Sequence, residues 1–169
     1  MESMARIALK GAVINTSGKL PQVGDQAPDF ILTKPDLSDV TLSDFPGLKK
    51  VLNIVPSLDT SVCAKSVEKF NEEVSRRKDT VVLTVSCDLP FAAKRFCEAH
   101  KIDQVITLSE LRSRAFGENY GCRISSGPLT GLLSRALVVL DEANKVLWIQ
   151  QVPEISQEPD YAGAMKALG

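Results

Sequence analysis

The residues in this chain best suited to redox chemistry are its four cysteines: Cys63, Cys87, Cys97 and Cys122. No two form a Cys-x-x-Cys pair, and the single histidine, His100, is not spaced like a zinc ligand. No metal site is therefore expected, and His100 reads as a residue near a helix end. Buried inert thiols and a redox pair remain. Cys63 stands apart because of its surroundings. The stretch Pro56-Ser57-Leu58-Asp59-Thr60-Ser61-Val62-Cys63 follows the apolar run Val51-Leu52-Asn53-Ile54-Val55 and precedes a helical pattern. The cysteine thus falls at a strand-to-helix turn. A thiol there meets unpaired backbone N–H groups and the positive end of the helix dipole. Both favour the thiolate, which is the nucleophilic form. Thr60 places a hydroxyl three residues earlier, where it can accept the thiol proton or hydrogen-bond an incoming oxygen. It can also cap the helix, and the two uses are compatible. The alternative for Cys63 is a small core hydrophobe, as most free cysteines are. Local sequence leaves both open.

The elements that must position these residues are legible from their periods. Cys63, Val67, Phe70 and Val74 fall on one face of a helix, with Lys65, Glu68, Lys69, Glu72, Glu73 and Arg76 on the other. Cys63 therefore opens the core-facing stripe. The strand before it spans 50–55. Thr80-Val81-Val82-Leu83-Thr84-Val85 is a β-branched run suited to a buried parallel strand. Asp88 can cap a helix with Pro90 in its first turn, running to about Ala99 with Phe96 and Cys97 near its end. A short strand near 104–107 and a helical turn near 109–118 follow. Ala136–Leu140 and Val146–Gln150 flank a turn and pair as a hairpin. Pro159 is expected to open a last helix ending near Leu168. Upstream, residues 5–16 read as a hairpin turning at Gly11, and 29–33 and 39–42 as strands. Crossover and hairpin connections together fit an α/β, thioredoxin-like mixed sheet flanked by helices.

Bulk properties remove several classes. The 169 residues suit one domain, 1–169, with residues 1–18 as an N-terminal hairpin extension. The 20 basic and 21 acidic residues nearly cancel, so charge gives no case for nucleic acid or an anionic membrane. No apolar run approaches the roughly 20 residues that span a bilayer. Met1–Arg6 lacks the basic and apolar regions of a secretory signal, which makes the cytoplasm the expected location.

Several segments together resemble the bacterial thiol peroxidases, the atypical two-cysteine peroxiredoxins. The Pro56–Cys63 stretch is the first. Asp39-Val40-Thr41-Leu42, Lys50-Val51-Leu52-Asn53-Ile54, Asp88-Leu89-Pro90-Phe91-Ala92, Arg95-Phe96-Cys97, Val105-Ile106-Thr107-Leu108 and Glu158-Pro159-Asp160-Tyr161 follow in collinear order. The resemblance implies the peroxiredoxin form of the thioredoxin fold. It implies that Cys63 is the peroxidatic cysteine, attacking a hydroperoxide and becoming sulfenic acid. Cys97 is then the resolving cysteine, closing a disulfide within the chain. Arg135 has the bland reading of a solvated strand terminus; by resemblance it pairs with the Cys63 thiolate and stabilises charge on the peroxide oxygens. Pro56 ends its strand and, by resemblance, shields the thiolate. No cofactor is implied, because the sulfurs carry the electrons. Hydrogen peroxide and alkyl or lipid hydroperoxides as substrates, thioredoxin as reductant and a homodimer are implied in the same way. Cys87 and Cys122 match no cysteine of the family motif and read as spare buried thiols.

A Cys63–Cys97 bond would close a loop worth roughly 3–4 kcal/mol against the unfolded chain. A disulfide also needs Cα atoms within about 7 Å, a limit that cysteines on separate helices seldom meet. One or both helix ends are therefore expected to unwind in each turnover. Rival readings are a peroxide sensor that relays oxidation to a client protein, and a thioredoxin-fold binding module with inert thiols. A dithiol oxidoreductase is disfavoured by the missing Cys-x-x-Cys.

Overall fold

The computed structural model describes residues 4–169. Its elements in chain order are β1 (Arg6–Leu9), β2 (Ala12–Asn15), β3 (Leu32–Thr33), β4 (Asp39–Val40), β5 (Lys49–Ile54), α1 (Ser61–Val74), β6 (Thr80–Ser86), α2 (Pro90–His100), β7 (Val105–Ser109), α3 (Ala115–Asn119), β8 (Ala136–Leu140), β9 (Val146–Gln151) and α4 (Tyr161–Ala167). Seven strands form one sheet in the order β4-β3-β7-β6-β5-β8-β9. β5, β6 and β7 run parallel, while β8 pairs antiparallel with β5 and β9 antiparallel with β8. This is the mixed thioredoxin-like sheet that the connection types imply.

Strand alternation sorts the core into two layers. Val51, Val82, Leu137 and Val139 face α1, α2 and α4, meeting Val67, Phe70, Phe96 and Ala164. Leu52, Ile54, Leu83 and Val138 face the other way, against Phe30, Phe45 and the α3 residues Phe116 and its neighbour Tyr120. The α1 stripe is buried as its period requires, with Cys63, Val67, Phe70 and Val74 all in the core.

The N-terminal hairpin stands apart from the main sheet. Its two-residue turn, Lys10-Gly11, has positive φ at both positions, the geometry that matches the twist of a tight hairpin. Ile7 and Ile14 bury against Ile124 and Ile155, so the hairpin packs on the loops flanking β8 and β9.

Some boundaries differ from the pattern reading. The strand expected over 29–33 is reduced to Leu32–Thr33. The Asp29 carboxylate accepts the N–H groups of Phe30 and Leu42 and removes them from ladder pairing. The strand expected over 39–42 stops at Val40, and Thr41 begins a short 3-10 turn closed by Asp44. Asp88 does not cap α2: the cap position is Leu89, and the Asp88 carboxylate turns to other partners. The last helix starts at Tyr161 behind an Asp160 cap whose side chain accepts the Gly163 N–H; Pro159 lies just ahead of it.

Candidate active site

The site lies where β5 ends, and strand register decides what meets there. Ile54 pairs with Val85 of parallel β6 and with Ala136 of antiparallel β8. Arg135, one residue before Ala136, is thereby brought beside the loop that leaves β5. That loop, residues 55–60, starts with Val55 still bonded to Val85, continues through the buried Pro56 and ends at Thr60. Pro56 donates no N–H, so the ladder stops at Val55. Thr60 is the N-cap of α1, and its hydroxyl accepts the Cys63 N–H at 3.2 Å. The same hydroxyl donates to the Ser57 carbonyl at 3.4 Å. Thr60 thus takes the capping role on the helix that carries Cys63.

Cys63 is fully buried, with its sulfur in the first turn of α1. Arg135 Nη2 donates to Cys63 Sγ at 3.1 Å. Arg135 is itself only 2% exposed, which rejects the solvated-terminus reading. Its Nε donates to the Ile155 carbonyl at 2.7 Å, fixing the plane of the guanidinium. Its Nη1 is buried and has no hydrogen-bond partner among the described residues. Buried polar groups are nearly always paired, and an orphaned donor beside a sulfur is one ready for an incoming acceptor. Cys63 is also tied from below: its carbonyl accepts the Ser66 hydroxyl at 2.8 Å, and Ser66 in turn meets Asn53 of β5.

Cys97 lies in the last turn of α2, where its carbonyl accepts the Ile102 N–H and Lys101 closes the helix in the left-handed region. Its half-buried sulfur sits 3.7 Å from the Thr107 hydroxyl of β7. Burial pushes its thiol above the usual range. Cys63 and Cys97 belong to the same core layer, and all four cysteines are free thiols. The structure thus brings Cys63, Thr60 and Arg135 together, with Pro56 buried in the same loop. Cys97 faces a different partner from a separate helix.

Among the described residues no group of His, Cys, Asp or Glu could hold a metal ion, and no helix is long and apolar enough to cross a membrane. Residues 22–165 match the Redoxin family. The chain is 50% identical over 165 residues to the thiol peroxidase of Corynebacterium glutamicum, covering 98% of this chain and 99% of that protein. The chain is a peroxiredoxin of the thiol peroxidase family. The fold of this peroxiredoxin agrees: a peroxiredoxin-like protein from Aquifex aeolicus superimposes with a TM-score of 0.91 at 39% identity, over 98% of this chain and 97% of that one. A thiol peroxidase from Chromobacterium violaceum shares the fold with a TM-score of 0.90 at 23% identity, over 96% and 94% of the two chains.

Two features of this peroxiredoxin were not legible as site parts. The Ile155 carbonyl that holds Arg135 is a backbone group, which carries no side-chain signature. Asp88 reads as a helix cap from its place before Pro90, yet its Oδ2 accepts the Leu58 N–H at 2.7 Å in the loop before Cys63. Cys87 and Cys122 lie outside the site. Cys87 donates to Glu110 at 3.2 Å, and Cys122 is fully buried in the opposite core layer. His100 ends α2, as expected, and its Nδ1 lies 2.6 Å from Glu68 of α1.

Proposed function

We propose that this peroxiredoxin reduces hydrogen peroxide and organic hydroperoxides through Cys63 and recycles through a Cys63–Cys97 disulfide. The observation that carries the reading is the buried Arg135, with one nitrogen on the Cys63 sulfur and another unpartnered. The Cys63 thiolate attacks the terminal oxygen of the peroxide. The O–O bond breaks, the leaving alkoxide takes a proton to become alcohol or water, and the sulfur becomes sulfenic acid. Arg135 Nη1 is the donor available to the peroxide oxygens as charge develops. Thr60, at the helix start, offers its hydroxyl to the same oxygens, and Pro56 limits access of water and bulky thiols. The Cys97 thiol then attacks the sulfenic sulfur, water leaves, and one disulfide forms within the chain. A dithiol reduces it; thioredoxin is the reductant favoured by the likeness to thiol peroxidases. Alkyl and lipid hydroperoxides, a homodimer and a cytoplasmic antioxidant role belong to the same reading. One domain, residues 1–169, carries the cycle.

Cys63 pairs with Arg135 and Cys97 lies beside Thr107 on a separate helix. The last turn of α2, the first turn of α1, or both are expected to unwind during closure.

Peptide mapping tests the assignment. Reduced protein receives one equivalent of an organic hydroperoxide, is alkylated, and is digested without reductant. A Cys63–Cys97 linkage within seconds, at one per chain, is expected. Four thiols still free after minutes would sink the peroxidase reading. Steady turnover with thioredoxin separates an enzyme from a sensor, which would oxidise once and stall.

A further inference from the structure

Asp88 joins the two segments that carry the reacting cysteines. It sits in the short connection between β6 and α2. Its Oδ1 accepts the Ser57 hydroxyl at 2.8 Å, and its Oδ2 accepts the Leu58 N–H at 2.7 Å and the Ser86 hydroxyl at 2.8 Å. Its own N–H donates to Ser86 Oγ at 3.2 Å. Ser57 and Leu58 belong to the loop that carries Thr60 and delivers Cys63. Pro90, two residues beyond Asp88, starts the helix that carries Cys97. One carboxylate therefore sets where the Cys63 loop stands relative to the start of α2.

Beyond this tie, Leu58 of the loop packs in the same core layer as Ala93 and Phe96 of α2. A cavity of about 410 Å³ lies between the two segments, lined by Leu58 and Asp59 on the loop side and by Ala92, Arg95, Phe96 and Ala99 on the helix side. Surfaces facing a gap lose few dispersion contacts when they separate. At the far end of α2, the His100–Glu68 pair joins α2 to α1, and the N–H groups of Asp103, Gln104 and Val105, in the segment after α2, donate to Asn71 Oδ1 of α1, leaving the loop untouched. Separation of the loop from α2 is thus resisted by the burial of Leu58 and by the bonds to Asp88, and hydrogen bonds to a carboxylate are stronger than neutral ones.

We propose that Asp88 is a positioning residue for the reaction assigned above, on which this inference rests. It holds the Cys63 loop against α2 in the arrangement that attacks peroxide. Breaking its bonds to Ser57 and Leu58 is the opening that lets Cys97 reach the Cys63 sulfenic acid. Loss of Asp88 should therefore slow the first step and speed the second. A residue that merely stabilised the fold would not split the two in opposite directions.

Rapid-quench alkylation with mass spectrometry reads both steps, sulfenic acid formation against peroxide concentration and disulfide formation as a first-order rise. Asp88→Ala is expected to lower the first rate constant about tenfold and raise the second severalfold, the scale of a lost charged hydrogen bond. Asp88→Asn, which can keep the Leu58 bond, should fall between Asp88→Ala and the parent. At high peroxide, the sulfinic acid yield at Cys63 should fall in Asp88→Ala, because the sulfenic acid is captured sooner. Two rate constants within twofold of the parent, or both lowered together, would overturn the role of Asp88. Should Asp88→Ala fail to fold by circular dichroism, Ser57→Ala removes one of the three bonds and must show the same opposite split; its absence overturns the role equally. If the parent protein itself forms no Cys63–Cys97 disulfide, the peroxidase reading has failed and not merely the inference about Asp88.

Discussion

The Ile155 carbonyl accepts the Arg135 Nε–H at 2.7 Å, and Ile155 is itself held by the N-terminal hairpin. The Ile155 N–H donates to the Ala8 carbonyl at 2.9 Å, and the Ala8 N–H donates to the Pro153 carbonyl at 2.7 Å. A chain of backbone bonds therefore runs from β1 through residues 153–155 to the guanidinium beside Cys63. The hairpin is a buttress for the arginine as well as an extension of the fold. Ala8→Pro tests this. It removes the N–H that reaches Pro153, while the β1–β2 pairing at Ala8 and Val13 stays in register. The rate constant for peroxide reduction should fall about tenfold, as expected for one lost hydrogen bond plus strain, with the main sheet unchanged by far-ultraviolet circular dichroism. Full activity in a variant whose hairpin amides exchange freely would disconnect the hairpin from the site.

Arg135 contributes both charge and shape, and two substitutions separate them. Arg135→Ala removes the hydrogen bond to the Cys63 sulfur and the free donor together. It should slow peroxide reduction by roughly two to three orders of magnitude, the range for a lost donor at a developing charge. Arg135→Lys keeps a cation but cannot hold Ile155, Cys63 and a peroxide oxygen at once. It should recover only part of the loss. Stopped-flow peroxide kinetics check both, and an unchanged rate in Arg135→Ala removes Arg135 from the mechanism.

The relation between sequence and structure is uneven for a physical reason. Local periods carry the α1 stripe, the buried strands β5, β6 and β8, and the turn at Gly11, because each is set by neighbours along the chain. The short β3 and β4 escape, because the Asp29 and Asp44 carboxylates compete with the ladder for backbone N–H groups. Arg135 looks like a surface residue at a strand end until the antiparallel register of β8 against β5 is known. Only the pairing of Ala136 with Ile54 shows that this strand end is interior. Asp88 fails in the same way: a carboxylate before Pro90 reads as a cap, and only the fold shows that its acceptors are filled from the loop before Cys63.

Cys87 lies outside the site, on the opposite face of the sheet from Cys63, and its surroundings hold it as a thiol. Its thiol donates to Glu110, whose carboxylate also holds Arg123 at 2.8 Å. Burial and the bond to Glu110 push the Cys87 thiol up to about 11. Thiols react as thiolates, so Cys87 should be alkylated far more slowly than an exposed cysteine at neutral pH. The sign of the stability effect follows from linkage. The folded state holds this proton more tightly than the unfolded chain does. The stabilisation is complete below the ordinary thiol value of 9.0 and is lost as pH rises through about 11. Denaturation midpoints of the parent should therefore decline over that window, and Cys87→Ser should flatten the decline while leaving peroxide turnover intact. Rapid modification of Cys87 at pH 7 would contradict the burial argument.

Glu154 gives the hairpin an acid limit. Its carboxylate accepts the N–H groups of Lys10 at 2.7 Å and Gly11 at 3.1 Å, across the tip of the β1–β2 turn, and the Ser156 hydroxyl at 2.8 Å. Those Gly11 and Lys10 donors, with Ser156, hold the carboxyl down at about 2, against an ordinary value of 4.5. A depressed carboxylate stabilises the fold fully above its unfolded value and loses that contribution as pH falls toward its folded value. The Lys10-Gly11 turn should therefore loosen between pH 4.5 and about 2. Because Glu154 sits between Pro153 and Ile155, the loosening should travel to Arg135 by the same backbone bonds that hold β1. Glu154→Gln removes the charge and should produce the low-pH behaviour at neutral pH. Faster exchange of the Lys10 and Gly11 amides and a lower peroxide rate constant are expected together, while the amides of β5 and β6 keep their protection. A carboxyl titrating at its ordinary value by NMR, with hairpin amides indifferent to pH, would leave Glu154 as an incidental surface contact.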